Sequence, residues 1–545
     1  MVVRIRAVAR QTLAQCLRMK IGIAFIILLA AVLAGVAAVA DRPEMPLANQ
    51  IRTFLSYSTA ATRWLLILVT LFLGASVTSG DVRNKHVFLL ASKPLARWEY
   101  VVGRWLGLAA LNTILIFVAG VAIYGVAQYM RHGQALNADD RRAVETEVFA
   151  ARRRVAPDLR GLADTINGEI ASRISQLKEQ GRYDSVVDAF LPRAGGDRTK
   201  AVQLVEADLR MRALQGFQSV APGLSKEWIF RGVKPSGEPL AGSGRVEMAD
   251  RQTRRIIFSA DQSLVSRMLE GGPVTINGVW GDVFGTQRGV FGVLFDDEDF
   301  SRGQISTLSS GQKVRVIVEP TIQLSYKLLP GSPPPPNTLL PSAWLLDSMS
   351  GYASQVVRND VPETTLTMPI PARAVGPDGS MLVRYTNVPN VEKNYQSSVT
   401  IQYDDIAVLY RVGSFEMNFL RGMVQILLAM AFLAALGVLA GSFLSFPVAC
   451  LACFAVLPFC LLRQYVADAI SSDVASAPVV MLFKAVTFML PNLESMSPSE
   501  NLVGGMNIDW QALGADALAA LAAAAVVLLI ACLLYRRREL ARVQV

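Results

Sequence analysis

The residues best able to support chemistry in this sequence are its cysteines and histidines. Cys450 and Cys453 have the spacing of a metal-binding pair, which would need further cysteine or histidine ligands. They lie inside an apolar run without a histidine, so we interpret them as buried side chains of a membrane span. The two histidines, His86 and His132, lack the neighbouring carboxylate, serine or cysteine that catalysis would need. We therefore predict no metal site, no catalytic site and no cofactor in this chain.

This sequence lacks the features expected of a protein that hydrolyses nucleotides or couples transport to ions. The phosphate loop GxxxxGK[ST] does not occur in it, which excludes ATP hydrolysis by that route. The apolar runs contain almost no ionisable residue, which disfavours coupling to protons or sodium. Asp516 lies at the predicted outer mouth of the last apolar run. Two interpretations of it stay open: a residue lining a transport pathway, or an ordinary acidic residue at a solvated helix start.

The composition is that of a membrane protein. Of 545 residues, 52% are hydrophobic and only 18% are charged. The net charge of +9 does not indicate a nucleic-acid partner, because many basic residues flank the first and last apolar runs. These flanking residues are Arg4, Arg6, Arg10, Arg18, Lys20, Arg536, Arg537, Arg538 and Arg542. Such clusters mark the cytoplasmic ends of membrane spans.

Six segments are predicted to cross the membrane, each with about 20 apolar residues. They are Ile21–Ala40, 64–80, 105–130, two spans within 422–462 that turn near Pro447, and 517–535. A secretory signal, cleaved after residue 40, is the alternative interpretation of the first. Six spans place both termini and the segment 81–104 in the cytoplasm, and the loops 41–63 and 463–516 outside. We predict that 476–496 is a re-entrant or interfacial segment.

Residues 131–416 are predicted to form one extracytoplasmic domain between spans three and four. Its first part, 137–220, has apolar residues at helical spacing and Asn137 as a helix cap. Its second part, 227–412, contains strand patterns at 274–280, 289–295, 314–318, 381–385 and 398–403. The run of Arg152, Arg153 and Arg154 is interpreted as a solvated face or a contact with lipid headgroups.

The predicted fold is thus an α-helical membrane protein with six transmembrane helices and an inserted α+β domain. Residues 1–130 contribute an N-terminal helix and the first three spans, and 417–545 contribute the last three. Within the insert, we expect a helical layer followed by an antiparallel β-sandwich.

The segment 81–104, between spans two and three, is charged and amphipathic. Its notable residues are Asp81, Arg83, Lys85, Leu89, Leu90, Lys93, Pro94, Arg97 and Trp98, followed by Gly103 and Arg104. This order, with its Leu-Leu-x-x-Lys-Pro-x-x-Arg run, resembles the coupling segment of ABC type 2 export permeases. The hairpin turn at 442–445, the segment 489–494 and the basic stretch 10–20 are similar to that family's inner turn, pre-span-six segment and elbow helix. The resemblance covers 1–130 and 415–545 and leaves out the insert.

The resemblance implies the transmembrane permease subunit of an ATP-binding-cassette transporter in the bacterial inner membrane. A separate ABC ATPase subunit, which holds the ATP, would dock on the coupling segment, and a second permease chain would help to enclose the path. The lipid bilayer is a further partner, and an envelope protein could be recruited through the insert. The alternative function is a membrane-anchored extracytoplasmic sensor or scaffold without transport. A membrane-anchored enzyme is a third interpretation, for which the insert offers no catalytic set.

Overall fold

A computed structural model describes residues 1–83, 96–234, 243–249, 255–261, 304–307, 313–318, 321–348, 353–371, 374–390, 393–463 and 490–537. The chain divides into two compact units. The first consists of Met1–Ala151 and Gly413–Val545, and the second of Arg152–Val412.

The helices of the described residues are, in chain order, α1 (Val2–Arg18), α2 (Ile21–Ala40), α3 (Leu47–Arg83), α4 (Arg97–Arg131), α5 (Ala138–Ala143), α6 (Leu162–Glu179), α7 (Tyr183–Phe190), α8 (Arg198–Gln218), α9 (Phe415–Phe443), α10 (Phe446–Leu461), α11 (Ser499–Val503) and α12 (Trp510–Arg537). One π-helical turn, Val144–Val148, follows α5.

Five helices of the described residues are long and apolar enough to cross a membrane. They are α2, α3, α4, α9 and α12, and the chain is in this sense a helical membrane protein. The break predicted near Pro447 separates α9 from α10. The second span of that hairpin corresponds to α10, whose 16 residues measure about 24 Å and fall short of a full span.

Two helices extend well beyond the apolar segments that indicated them. The predicted outer loop 41–63 is largely helical, because α3 begins at Leu47. The Asp140 carboxylate accepts hydrogen bonds from the backbone N–H groups of Leu47 (2.8 Å) and Ala48 (3.0 Å), which caps this helix start. At the other end, α4 begins at Arg97 and not at residue 105, so the connector between α3 and α4 shortens to residues 84–96.

The first unit is organised around α9. Residues 429–438 of α9 are buried without interruption, as expected for a helix surrounded by other helices. Its Gly437 lies against Gly74 of α3 so closely that a Cβ atom on either glycine would sit 3.0 Å from the Cα atom of the other. One turn further along, a Cβ atom on Gly441 would lie 2.8 Å from the Ala75 carbonyl oxygen. Small residues thus let the α3 and α9 backbones touch, as is common between membrane helices.

The second unit contains a separate β-sheet region. The strands, numbered along the chain, are β1 (Ala150–Val155), β2 (Ser219–Val220), β3 (Ser225–Phe230), β4 (Ser243–Ala249), β5 (Arg255–Asp261), β6 (Gln304–Thr307), β7 (Lys313–Val318), β8 (Thr321–Lys327), β9 (Leu329–Pro330), β10 (Leu340–Asp347), β11 (Ala353–Asp360), β12 (Thr365–Pro371), β13 (Met381–Asn387), β14 (Val399–Thr400) and β15 (Ala407–Ser414). They form sheets of order β1-β15-β8-β12, β11-β10-β13-β3, β2-β14-β9 and β5-β4-β7-β6.

The sheets β1-β15-β8-β12 and β11-β10-β13-β3 share one apolar core. Side chains of β8, β12 and β15 and side chains of β3, β10 and β13 belong to the same buried cluster, centred on Trp344. The strand pairs β10–β11, β10–β13, β13–β3, β12–β8 and β15–β8 are all antiparallel. Helices α6, α7 and α8 lie between β1 and β2 in the chain, and α7 and α8 have a small core of their own around Val187 and Val205.

Several predicted features of the insert can be located. Asn137 caps α5 by accepting a hydrogen bond from the Asp140 N–H at 2.7 Å. The patterns at 314–318 and 381–385 lie within β7 and β13, whereas 274–280 and 289–295 lie outside the described residues. The strand predicted at 398–403 is reduced to Val399–Thr400, because its partners β2 and β9 have only two residues each and a turn begins at Gln402.

The interpretation of the arginine run as a solvated face is wrong for its first member. Arg152 lies on β1 with only 3% of its surface exposed, and its guanidinium donates to the side-chain oxygen of Gln323. Arg153 and Arg154, the next two residues of β1, are exposed, so one arginine of the run turns inward.

A buried polar network links the sheets β1-β15-β8-β12 and β11-β10-β13-β3. The Asp360 carboxylate, 1% exposed, accepts hydrogen bonds from Tyr326 (2.9 Å), Ser342 (2.6 Å) and Arg358 (3.1 Å). The Tyr385 hydroxyl is also buried, but it has no hydrogen-bond partner among the described residues. The two tyrosines flank Trp344, with ring centroids 4.3 Å and 4.9 Å from its ring.

This asymmetry predicts opposite outcomes for two matched substitutions. Tyr326→Phe removes a donor from a buried carboxylate and should lower the free energy of unfolding by about 1–3 kcal/mol. Tyr385→Phe removes a hydroxyl that has no partner among the described residues. The free energy of unfolding of this variant should lie within about 0.5 kcal/mol of the wild-type value or above it. Urea unfolding of the full chain, followed by limited proteolysis within 152–412, measures both. Equal losses would show that the Tyr326 hydrogen bond contributes nothing.

The same tyrosines predict a loss of stability at high pH. Burial raises the pKa of Tyr326 and of Tyr385, and the nearby Asp360 carboxylate raises both further. Their stabilising contribution is complete below pH about 10, where the phenols of the unfolded chain ionise, and it declines as the pH rises towards their folded-state pKa values. We expect the urea midpoint of this unit to fall between pH 9 and pH 11. The double variant Tyr326→Phe, Tyr385→Phe should show a smaller fall.

Candidate functional site

The ends of α3 and α4 that flank the connector meet in a buried polar cluster. Asp81 lies near the C-terminal end of α3, and Tyr100 and Arg104 lie in the first two turns of α4. Thr12 and Gln15 of α1 complete the hydrogen bonding from the opposite side. We call these five residues the connector cluster.

Arg104 is the centre of the connector cluster. One guanidinium nitrogen forms an ion pair with the Asp81 carboxylate, and both residues are 2% exposed. The other terminal nitrogen donates to the Thr12 hydroxyl at 3.1 Å and to the Gln15 side-chain oxygen at 2.9 Å. Both terminal nitrogens of Arg104 thus have partners, as a buried charge pair requires, whereas its Nε atom has no hydrogen-bond partner among the described residues.

Tyr100 supports the same carboxylate from the same helix. Its hydroxyl donates to Asp81 Oδ2 at 2.6 Å, beside the Arg104 contact. The carbon of the Arg104 guanidinium lies 5.2 Å from the Tyr100 ring centroid, and the Tyr535 ring of α12 stacks on Tyr100 with centroids 5.6 Å apart. The cluster therefore holds the ends of α3, α4 and α1 together and places α12 against them.

Two glycines allow α1 to approach α4 at this level. A Cβ atom on Gly103 would lie 2.6 Å from the Val8 Cβ atom, and one on Gly107 would lie 2.5 Å from the Thr12 Cβ atom. Glycines four residues apart leave a groove along one face of α4, and α1 fills it. This close approach carries Thr12 and Gln15 within reach of Arg104.

The rim of the cluster, at the start of α4, is partly exposed. Glu99 is buried and accepts a hydrogen bond from the Ala96 N–H at 3.0 Å, which caps the start of α4. Arg97 is exposed and donates to the Tyr535 carbonyl oxygen at 3.2 Å. Trp98 leaves 41% of its surface exposed. An exposed tryptophan beside an arginine is the composition typical of a protein-binding hot spot.

The structure brings together only part of the predicted coupling segment. Asp81 and Arg104 are paired in the cluster, Arg97 and Trp98 lie on its rim, and Arg83 is the last residue of α3. The predicted residues Lys85, Leu89, Leu90, Lys93 and Pro94 lie outside the described residues. Arg104 was expected in the connector, and it is instead a buried residue of a helix.

The sequence analysis did not identify three residues of the connector cluster, nor the tyrosine that stacks on it. They are Thr12, Gln15, Tyr100 and Tyr535. The spacing of Tyr100 and Arg104 places them on one helical face, which is a usable signal. The glycine spacing on α4 was a second signal. Nothing in the sequence indicated the contribution of Tyr535, which lies more than 400 positions from its stacking partner.

Asp516, the predicted pathway residue, is not at a helix start. It lies in the second turn of α12, which begins at Trp510, and is half-buried. Gln425 of α9 donates to its carboxylate at 2.9 Å. The interpretation as a solvated helix N-terminus is therefore wrong, and Asp516 joins α9 to α12.

The chain matches no family model, no curated protein and no solved structure in comparisons with known proteins. The chemistry of the cluster is the remaining guide to its role. Its charges are paired and buried and its rim is exposed, which suits a mechanical joint better than a site that transforms a substrate.

The ion pair should dominate the stability of this end of the first unit. Arg104→Met leaves the Asp81 carboxylate buried without its partner and should lower the free energy of unfolding by about 3–5 kcal/mol. The control Arg4→Met removes an arginine that is half-exposed beside Glu99 and should cost less than about 1 kcal/mol. Denaturant unfolding of the full chain in detergent measures both.

A double-mutant cycle tests the pairing itself. The variant Asp81→Asn, Arg104→Met should lose clearly less than the sum of the two single losses, because neither charge is then left alone. Strictly additive losses would contradict the pairing.

Proposed function

We propose that this chain is the transmembrane permease subunit of an ATP-binding-cassette exporter, driven by a separate ATPase that docks on residues 81–104. In this proposal six spans cross the inner membrane, both termini are cytoplasmic, and 131–416 is extracytoplasmic. Two permease chains enclose the path, and the partner subunit holds the ATP.

The connector cluster is the observation that carries the proposal. The Asp81–Arg104 pair joins the end of α3 to the start of α4, which are the two helices that the connector links along the chain. A force applied to the connector therefore acts on two helices that are tied to each other and to α1. Such a joint converts closure of a docked ATPase dimer into a rigid-body movement of the spans.

The ends of the first unit support the proposed topology. The basic helix α1, the start of α4 and the end of α12 lie together, since Arg4 faces Glu99 and Arg97 contacts the Tyr535 carbonyl oxygen. The arginine-rich stretch that begins at Arg536 follows directly. Basic flanks gathered at one end are what a cytoplasmic face requires.

The opposite end of the first unit is where the insert departs. The rings of Tyr124 on α4 and of Phe149 both contact the ring of Phe415, the first residue of α9. The chain therefore leaves α4 and re-enters α9 at the same end, away from the connector cluster. An insert that starts and finishes at this end supports its placement on the extracytoplasmic side.

The rim residue Trp98 provides a sharp test of ATPase docking. Trp98→Ala should reduce recovery of the ATPase at least about tenfold when the tagged chain is purified from its native membranes, since a hot-spot residue contributes more than about 2 kcal/mol. The matched control is Trp64→Ala, which removes a tryptophan of similar exposure, 46% against 41%, from α3. The measurements are mass spectrometry for proteins with a phosphate loop and ATPase activity in the eluate.

The paired substitution Leu89→Asp, Leu90→Asp examines the connector itself, with the exposed Leu224→Asp in the insert as its control. We expect the ATPase to be absent from the eluate of the Leu89→Asp, Leu90→Asp variant and present in that of the Leu224→Asp control. Absence of any phosphate-loop protein from the wild-type eluate, or equal recovery with Trp98→Ala and Trp64→Ala, would contradict the proposal and favour the sensor or scaffold function.

A further inference from the structure

An open groove of about 430 Å³ runs between α4 and α9, away from the connector cluster. Its walls are almost entirely apolar and include Phe117 and Val121 of α4 and Leu420 and Met423 of α9. Phe117, Val121 and Leu420 expose more than half of their surfaces. The groove therefore opens towards the surroundings of the first unit and not into its core.

A glycine gives the groove its depth. Gly120 of α4 faces Met423, and a Cβ atom there would make ordinary contacts of 3.5 Å with the Met423 Cγ and Sδ atoms. A methyl group would thus fit, but a longer side chain would project into the groove and fill it.

The length of the groove matches half of a membrane. Along α9 its lining extends from Glu416 to Leu427, and the helix rises about 16 Å between these two residues. The hydrocarbon core of a bilayer is about 30 Å thick, so one leaflet contributes about 15 Å. One extended acyl chain of a single leaflet therefore fits the groove from end to end.

The mouth of the groove carries polar groups suited to a headgroup. Glu416, in the first turn of α9, is exposed and forms no ion pair at contact distance within the described part of the chain. The nearby cation, Arg131, is already bonded through two nitrogens to Glu145. Tyr124 accepts a hydrogen bond from Gln128 at 2.8 Å, which leaves its own hydroxyl proton to donate.

We propose that this groove is a binding site for one membrane phospholipid whose headgroup carries an ammonium group. One acyl chain lies along Gly120 between α4 and α9. The Glu416 carboxylate accepts from the ammonium, and the Tyr124 hydroxyl donates to a phosphate oxygen. The site is independent of ATPase docking, because it lies away from the connector and uses none of its residues.

Photo-crosslinking in nanodiscs tests the site. The full chain is reconstituted in phosphatidylcholine with a trace of phosphatidylethanolamine or phosphatidylglycerol, both bearing the same diazirine-labelled acyl chain. After irradiation, we expect label on peptides that contain 113–121 and 419–427, about tenfold stronger for phosphatidylethanolamine, as one charged hydrogen bond implies.

Matched variants separate the acyl-chain contact from the headgroup contact. Gly120→Leu should reduce the label on both peptides several-fold for both lipids. Gly125→Leu, on the same helix but outside the groove and with no atom within 4 Å of an added Cβ, should not. Glu416→Gln should bring the ratio of the two lipids close to one, while the exposed control Glu500→Gln keeps it.

Three results would overturn the proposal. Equal labelling of the Gly120→Leu and Gly125→Leu variants would mean that lipids contact α4 without a site. If Glu416→Gln leaves the ratio of phosphatidylethanolamine to phosphatidylglycerol labelling unchanged, Glu416 does not contact the headgroup. Absence of label from both lipids on the peptides that contain 113–121 and 419–427 of the unmutated chain would mean that no acyl chain occupies the groove.

Discussion

A charge pair in apolar surroundings is stable only while its two members stay together, and this constraint governs the first unit. Separating Asp81 from Arg104 would leave two buried charges uncompensated, at a cost far larger than that of breaking an ordinary surface ion pair. The helices that carry them are therefore held within hydrogen-bonding distance. The glycines of α4, the hydroxyl of Thr12 and the stacked ring of Tyr535 all serve this one requirement.

In the rest of the first unit, polar contacts and close packing have different roles. Polar groups fix the helix ends, as at Asp140 beside the start of α3. Small residues bring the helix centres together, as at Gly74 and Gly437. Polar contacts between the centres also occur, such as the 3.0 Å bond from Thr70 to Asn112. Hydrogen bonds are worth most where water is scarce, so they set orientation, and close packing supplies most of the attraction.

The sequence was a good guide to apolar segments and a poor guide to where helices end. The prediction for Ile21–Ala40 agrees with α2 at both ends, because there the apolar run and the helix coincide. The beginnings of α3 and α4 were misplaced because polar and charged residues are mixed into their first turns. Hydropathy reports the bilayer crossing and not the backbone hydrogen bonding. Within the candidate site, Asp81 was recognised, but its pairing with Arg104 required knowing that both helices extend to the same level. The burial of Arg152 depends on Gln323, which is distant in sequence and could not be foreseen.

The length of α3 has a mechanical consequence. From Leu47 to Arg83 the helix measures about 55 Å, and it touches α9 at Gly74, much nearer to the connector than to the end capped by Asp140. The arms on the two sides of this contact are about 40 Å and about 14 Å long. If α3 turns as one rod about the glycine contact, a shift at the connector is magnified about threefold at the far end. The long helix then acts as a lever, and a small displacement at its Arg83 end becomes a large one at its Leu47 end.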